Sequence, residues 1–230
     1  MNRAVCLLSG GLDSTVTLYA ARREGFEPVA LSIEYGQRHY KEISLAQNMT
    51  RSLGLKHYFA SLSMPWKGSA LLDEKAPLPK HRDAATISGG GIPATYVPGR
   101  NSVFLAMAIS CAEIVQAGTV FIGVNALDYS GYPDCRPEYL QAFADAVNLG
   151  TRAGIEGKRI EIKAPLIRLS KKEIVLLGQK LGVPFERTWS CYEGSDKPCG
   201  ECDSCLLRAK GFAEAGFADP LLSYETPSDR

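Results

Sequence analysis

Two clusters in this 230-residue chain carry residue types and spacings suited to chemistry. The first is Ser9-Gly10-Gly11-Leu12-Asp13-Ser14, lying between the all-apolar run Ala4-Val-Cys-Leu-Leu8 and a helical pattern that begins near Ser14. Glycines permit positive φ and close approach of the backbone to a ligand, and a helix start offers N–H groups with a positive dipole end, so this loop suits a phosphate. Ser9, Ser14 and Thr15 add hydroxyls. The spacing G-x-x-x-x-G-K is absent and no lysine follows, so this is not the loop of the common nucleoside triphosphatases. Asp13 beside a phosphate is repulsive, and a bridging Mg²⁺ is the simplest remedy. The alternative is a plain strand-to-helix turn with Asp13 or Ser14 as N-cap.

The second cluster is Cys191, Cys199, Cys202 and Cys205, spaced C-x7-C-x2-C-x2-C on a turn-rich segment with Pro198, Gly200 and Arg208. Four thiolates can close a tetrahedral Zn²⁺ shell, and closed shells are structural. An iron–sulfur cluster and a redox dithiol are the competing readings. A four-thiolate zinc carries a net charge near −2 that Lys197, Arg208 and Lys210 are placed to offset. Of the other cysteines, Cys6 and Cys111 read as small core residues, and Cys135 sits in a polar loop.

Positioning these groups requires a scaffold, and the chain supplies an alternation of apolar runs and helical patterns. Strand-like runs occur at Ala4–Leu8, Val29–Ile33, about His57–Leu62, Thr119–Val124 and Ile160–Ile167. Helical patterns fall at Ser14–Arg23, Lys41–Leu53, Asn101–Gln116, Pro137–Leu149 and Lys171–Leu181, the last capped by Ser170 with Glu173 as its box partner and closed by Gly182. The alternation predicts a doubly wound parallel α/β sheet. Met64 to Arg100 reads as a long loop, the kind that is often functional. Polar loops that follow strands or precede a helix lie at the sheet edge where ligands bind.

Length allows one large domain with a small appendage, expected as residues 1–186 and 187–230. Lys plus Arg number 26 against 25 Asp plus Glu, so no bulk field attracts a polyanion, and nucleic-acid binding is not expected. Neither a signal peptide nor a membrane span is read, and the cysteine usage fits a reducing compartment, so a cytoplasmic protein is expected. A two-fold homodimer is the default assembly.

The Ser-Gly-Gly-x-Asp-Ser loop resembles that of the PP-loop adenine-nucleotide alpha hydrolases, and that resemblance implies ATP binding and adenylation. Four more stretches narrow it: Glu34-Tyr-Gly-Gln-Arg-His39, Tyr96-Val-Pro-Gly-Arg-Asn101, Gly123 to Arg136, and Trp189-Ser-Cys-Tyr192. Together they resemble the 7-cyano-7-deazaguanine synthase family of queuosine biosynthesis from Ala4 to about Arg208. The resemblance implies that 7-carboxy-7-deazaguanine, ATP and ammonia give a nitrile through adenylation of the carboxylate and then of the amide. It implies an ATP site at Leu8, Ser9, Gly10, Gly11, Leu12, Asp13, Ser14, Thr15, Arg38 and Lys171, with Asp13 and Ser14 catalytic and Mg²⁺ accompanying ATP. Substrate contacts are expected at Tyr96, Arg100, Asn101, Asp128, Tyr132, Asp134 and Arg136, with zinc on the four cysteines. Arg100 and Asn101, at a helix start, suit a carboxylate or phosphate, and Asp128 and Asp134 suit a guanine-like amidine edge. The rival readings are a tRNA-thiolating PP-loop enzyme and a zinc-containing nucleic-acid-binding regulator without catalysis; the even charge and the ligand-like cysteine spacing disfavour both.

Overall fold

The apolar run that begins at Ala4 becomes the central strand of a sheet. In the computed structural model, which describes residues 2–37, 41–73, 75–89, 91–125 and 131–222, five strands are β1 (Arg3–Leu7), β2 (Glu27–Glu34), β3 (His57–Ser61), β4 (Thr119–Phe121) and β5 (Glu161–Lys163). Their order is β3-β2-β1-β4-β5, and every pair is parallel. Cys6 of β1 is matched to Ala30 on one side and Phe121 on the other. A strand flanked on both edges and covered on both faces must be apolar throughout, and Ala4 to Leu7 are all buried.

The helices are α1 (Leu12–Arg23), α2 (Lys41–Ser52), α3 (Ala84–Gly89), α4 (Arg100–Val115), α5 (Pro137–Gly150), α6 (Arg152–Ile155), α7 (Lys171–Leu181) and α8 (Asp203–Ala215). One face of the sheet packs Val5, Leu7, Val29 and Leu31 against Leu105, Ala108 and Ile109 of α4 and Leu140 of α5. The other packs Ala4, Cys6 and Ala30 against Leu18 and Ala21 of α1 and Ala46 and Met49 of α2. This is the expected doubly wound α/β sheet. Successive connections reverse direction between β1 and β4, and ligands bind at such a switch point, outside the carboxyl ends of the strands.

Two details depart from the sequence expectation. The segment Met64–Arg100 contains the short helix α3 and an isolated antiparallel bridge between Lys80 and Cys202. β4 and β5 have three residues each, shorter than their apolar runs; after β4 the chain forms the cavity wall at Ile122–Asn125. Phe212 of α8 lies edge-on to Phe185 at 5.1 Å, in one cluster with Leu12 and Val16 of α1 and Ile174 of α7. The capping box at Ser170 and Glu173 is present, and Gly182 closes α7 in the left-handed conformation. No helix among the described residues is long and apolar enough to cross a membrane.

Candidate active site

The loop between β1 and α1 is preorganised by its own side chains. Gly10 adopts φ +92, and a Cβ there would lie 2.1 Å from the Glu42 carbonyl oxygen, so only glycine lets the loop press onto α2. Ser9 Oγ accepts from the Gly11 N–H at 3.1 Å and lies 3.0 Å from Ser14 Oγ. Ser14 Oγ and Thr15 Oγ1 each donate to the Gly11 carbonyl, at 3.1 and 2.8 Å. Thr15 is thereby buried and turned into the helix start instead of toward the cavity. α1 has no side-chain cap, so its first-turn N–H groups are left to a ligand. Gly123, at the end of β4, allows Ser14 to approach, since a Cβ there would lie 2.9 Å from Ser14 Cα.

The loop itself has no lysine, and the tertiary structure brings one to it from α7. Lys171, at the first turn of α7, places Nζ 2.9 and 2.8 Å from the two oxygens of Asp13. A protein cation therefore compensates Asp13, and a carboxylate so shared keeps lone pairs for a metal.

A cavity of about 270 Å³ opens from this loop, bounded by Leu8, Ser9, Gly11, Leu12, Asp13, Ser14 and Lys171 at one end and by Tyr35, Arg100, Asn101, Phe104, Tyr132 and Cys135 at the other. Arg100 begins α4 after Gly99, whose φ of +66 aims the helix start inward. Its guanidinium lies 5.7 Å from the Tyr35 ring centroid and 5.8 Å from that of Phe104, and it donates to Tyr35 OH at 3.2 Å. Burial by itself disfavours the charge of Arg100, but negative charge on Tyr35 and Tyr132 at high pH, with the Tyr35 hydrogen bond, outweighs it and holds its pKa above the usual arginine range. Its buried Nε has no hydrogen-bond partner among the described residues. An unsatisfied buried donor on a charged group calls for an anionic ligand. Tyr132 is buried and hydrogen-bonds Thr95 Oγ1 at 2.7 Å.

Other expected contacts are redirected. Asp134 is buried, and its Oδ2 accepts the Asn101 N–H at 3.0 Å, so it caps α4 and is absent from the cavity wall. Arg136 is exposed, donates to the Pro133 carbonyl at 3.1 Å and faces Glu138 at 3.7 Å. Tyr96 stands behind Tyr132, centroids 5.8 Å apart, and accepts the Gly99 N–H. Gly10 shapes the loop from the α2 side. Arg38, His39 and Asp128 lie outside the described residues. Cys135 meets the cavity, takes a hydrogen bond from Asn101 Nδ2 at 3.3 Å, and burial, with Asp134 adding to it, pushes its thiol up to about 12.

Sequence reading missed Gln37, Glu42, Phe104, Asn125, Ser190 and Ser204, all on the cavity wall. Gln37 and Asn125 sat inside the quoted polar stretches, so the stretches were the available signal; Phe104 and Ser204 carry none, because only the turn of a helix faces them inward.

The cysteine cluster forms as expected. The four Sγ atoms lie within 4.8 Å of one another, and Cys199 and Cys205 approach to 4.0 Å. A tetrahedron with Zn–S near 2.3 Å needs S···S of about 3.8 Å, so the donor set fits a tetrahedral thiophilic ion. Backbone N–H groups of Glu193 and Cys199 point at Cys191 Sγ, and those of Glu201 and Cys202 at Cys199 Sγ, at 3.3–3.5 Å. S–H donation from Cys202 and Cys205 holds Cys191 well below the usual thiol range. All seven cysteines are unbridged. Two of the three cations expected to offset the cluster's charge are paired elsewhere: Arg208 with Asp219 at 2.7 and 2.9 Å, and Lys210 with Glu214. Lys80 reaches Glu193 and Glu201, and Arg82 pairs with buried Asp203, which tie the 64–83 segment to the module.

A parallel α/β sheet whose first strand runs into this phosphate loop, with a four-cysteine module against the cavity, defines an enzyme domain of the PP-loop class. Residues 3–216 match the family model of queuosine biosynthesis protein QueC, and the chain belongs to that family. The 7-cyano-7-deazaguanine synthase of Trichodesmium erythraeum is 52% identical over 222 residues, covering 96% of this chain and all of that one. That of Kineococcus radiotolerans is 51% identical over 221 residues, covering 95% and 96%. Among solved structures, NMN synthetase from Francisella tularensis aligns at 18% identity and TM-score 0.44, over 80% of this chain and 62% of that longer one.

Proposed function

We propose that this chain is a 7-cyano-7-deazaguanine synthase that consumes ATP, ammonia and 7-carboxy-7-deazaguanine. The observation that carries the reading is one cavity with a phosphate cradle, Ser9 to Ser14 with Lys171, at one end and the buried Arg100 guanidinium with an unsatisfied Nε at the other. A nucleotide and a carboxylate-bearing planar base are brought together by such a cavity.

The first-turn N–H groups of α1 and the Lys171 ammonium hold the β and γ phosphates and stabilise the charge that grows on departing pyrophosphate. Arg100 orients the substrate carboxylate so that one oxygen attacks the α-phosphorus as the bond to pyrophosphate breaks. Ammonia then attacks the acyl carbon, AMP leaves, and one proton passes to solvent, giving the amide. The amide oxygen attacks a second ATP in the same way; loss of the nitrogen's two protons and of AMP leaves the carbon–nitrogen triple bond. A carboxylate nucleophile needs no general base, so positioning and electrostatics supply most of the rate.

Tyr35, Phe104 and Tyr132 present aromatic surface for the flat base. Mg²⁺ bound with ATP would neutralise phosphate charge beside Asp13. Cys191, Cys199, Cys202 and Cys205 would hold one structural Zn²⁺. A cytoplasmic homodimer completes the reading. Arg100→Met tests it: the Michaelis constant for 7-carboxy-7-deazaguanine should rise at least tenfold with that for ATP little changed, and an unaltered constant would remove Arg100 from the carboxylate site.

A further inference from the structure

The cysteine module is part of the cavity wall: Trp189, Ser190, Tyr192, Ser204, Leu207 and Arg208 all face it. Within that wall, the buried Trp189 joins the metal site to the phosphate loop. Its backbone N–H donates to the Gly10 carbonyl at 3.0 Å. Its own carbonyl oxygen would stand 3.3 Å from a Cβ on Gly11, so the strand of chain lies flat against both loop glycines. Its indole Nε1–H donates to the carbonyl of Cys191, one of the four thiolate ligands, at 2.9 Å. On the outer face Lys41 Nζ sits 4.8 Å from the indole centroid. Behind it, buried Arg208 of α8 donates to Thr188 Oγ1 at 2.8 Å and to the Phe185 carbonyl at 3.1 Å.

The loop residue held this way is also the one in a left-handed conformation, Gly10 at φ +92. A glycine in that region has many alternative conformations, and the Trp189 hydrogen bond selects the one that forms the cradle. The clamp in turn is fixed at its far end by the position of Cys191, which changes when four thiolates gather round an ion or fall apart without it.

The geometry points to Trp189 as a positioning residue that couples metal occupancy of the four-cysteine site to the affinity of the phosphate loop. The metal then acts beyond fold stability: it sets how well the loop grips nucleotide phosphates. This inference rests on the ATP reading above.

The chain has two tryptophans, and Trp66 is exposed on the 64–83 segment, so a Trp66→Phe background leaves Trp189 as the sole indole reporter. In that background MgATP should change the emission of the metal-loaded protein. Removal of the metal with a chelator should weaken MgATP binding at least tenfold by calorimetry, and reloading with Zn²⁺ should restore it. Trp189→Phe, which keeps the ring volume but loses the indole donor, should retain one zinc per chain and bind MgATP about tenfold more weakly, the loss expected from one hydrogen bond. The same variant should bind 7-carboxy-7-deazaguanine as the parent does. Equal MgATP affinity in stripped and loaded protein, or in Trp189→Phe, overturns the coupling. An equal loss for both ligands in Trp189→Phe marks a merely structural residue and overturns it as well. If stripping unfolds the chain, Trp189→Phe decides alone. Metal-loaded protein that binds no MgATP overturns the ATP reading and the coupling together.

Discussion

Lys171 Nζ lies 2.8 and 2.9 Å from the two carboxylate oxygens of Asp13, across 158 residues of chain. The pair joins the start of α7 to the start of α1 inside the cavity. It brings from a distance a cation that the glycine loop lacks locally. Replacing Lys171 by Met should lower kcat/KM by about 10² to 10³, the scale of one oriented charge in the transition state, while far-ultraviolet circular dichroism stays native. Asp13→Ala should abolish turnover with the fold retained; substantial activity in either variant would contradict the assigned role.

Gly211 of α8 makes room for that lysine. A Cβ at this position would stand 2.4 Å from Lys171 Cγ and 3.0 Å from its Cβ. Gly211→Ala should therefore push the ammonium away from Asp13, raising the Michaelis constant for ATP in steady-state assays although residue 211 contacts no substrate. An alanine variant with parental kinetics would show that the lysine stem shifts without moving its head.

Gly10→Ala combines a positive φ with a 2.1 Å approach to the Glu42 carbonyl. The expected cost is about 2–4 kcal/mol from backbone strain and overpacking, visible as a lower urea midpoint with unchanged m-value, together with loss of MgATP binding.

Much of this architecture is readable in the chain itself. The all-apolar Ala4–Leu8 run announces a central parallel strand, the glycines that follow announce a close approach, and the Ser170–Glu173 box announces a helix start. Each is a local signal with one physical meaning. What eludes reading is set by distant partners. Asp134 looks like a ligand for a base edge, yet it caps α4, because only the folded chain brings the Asn101 N–H to it. Lys171 is expected at the ATP site and Arg208 as a counter-charge to the cysteines, but nothing local shows that α7 and α8 set them against Asp13 and Asp219. Arg136, in the same stretch as Asp134, turns outward at the first residues of α5.

His57 carries the main pH signature outside the cysteines. Its Nε2 and Nδ1 lie 2.8 Å from Ser32 Oγ and Thr50 Oγ1, and burial lowers its pKa to about 4, against 6.5 in an open chain. The unfolded chain therefore binds the extra proton first. The stability that this neutral imidazole contributes is full above about pH 6.5 and is lost as pH falls toward 4. With its partial exposure discounted, the loss is about 1–2 kcal/mol. Thermal unfolding from pH 4 to 7 should show a shallower slope for His57→Gln than for the parent.

The proposed function requires one cavity to perform two adenylations. The direct measurement is mass spectrometry of the purified protein with 7-carboxy-7-deazaguanine, ammonium, Mg²⁺ and ATP, counting nitrile and AMP together. The expected result is 7-cyano-7-deazaguanine with about two AMP per nitrile, because each oxygen-to-α-phosphorus attack releases one. AMP without nitrile, or nitrile with ADP in place of AMP, would contradict it.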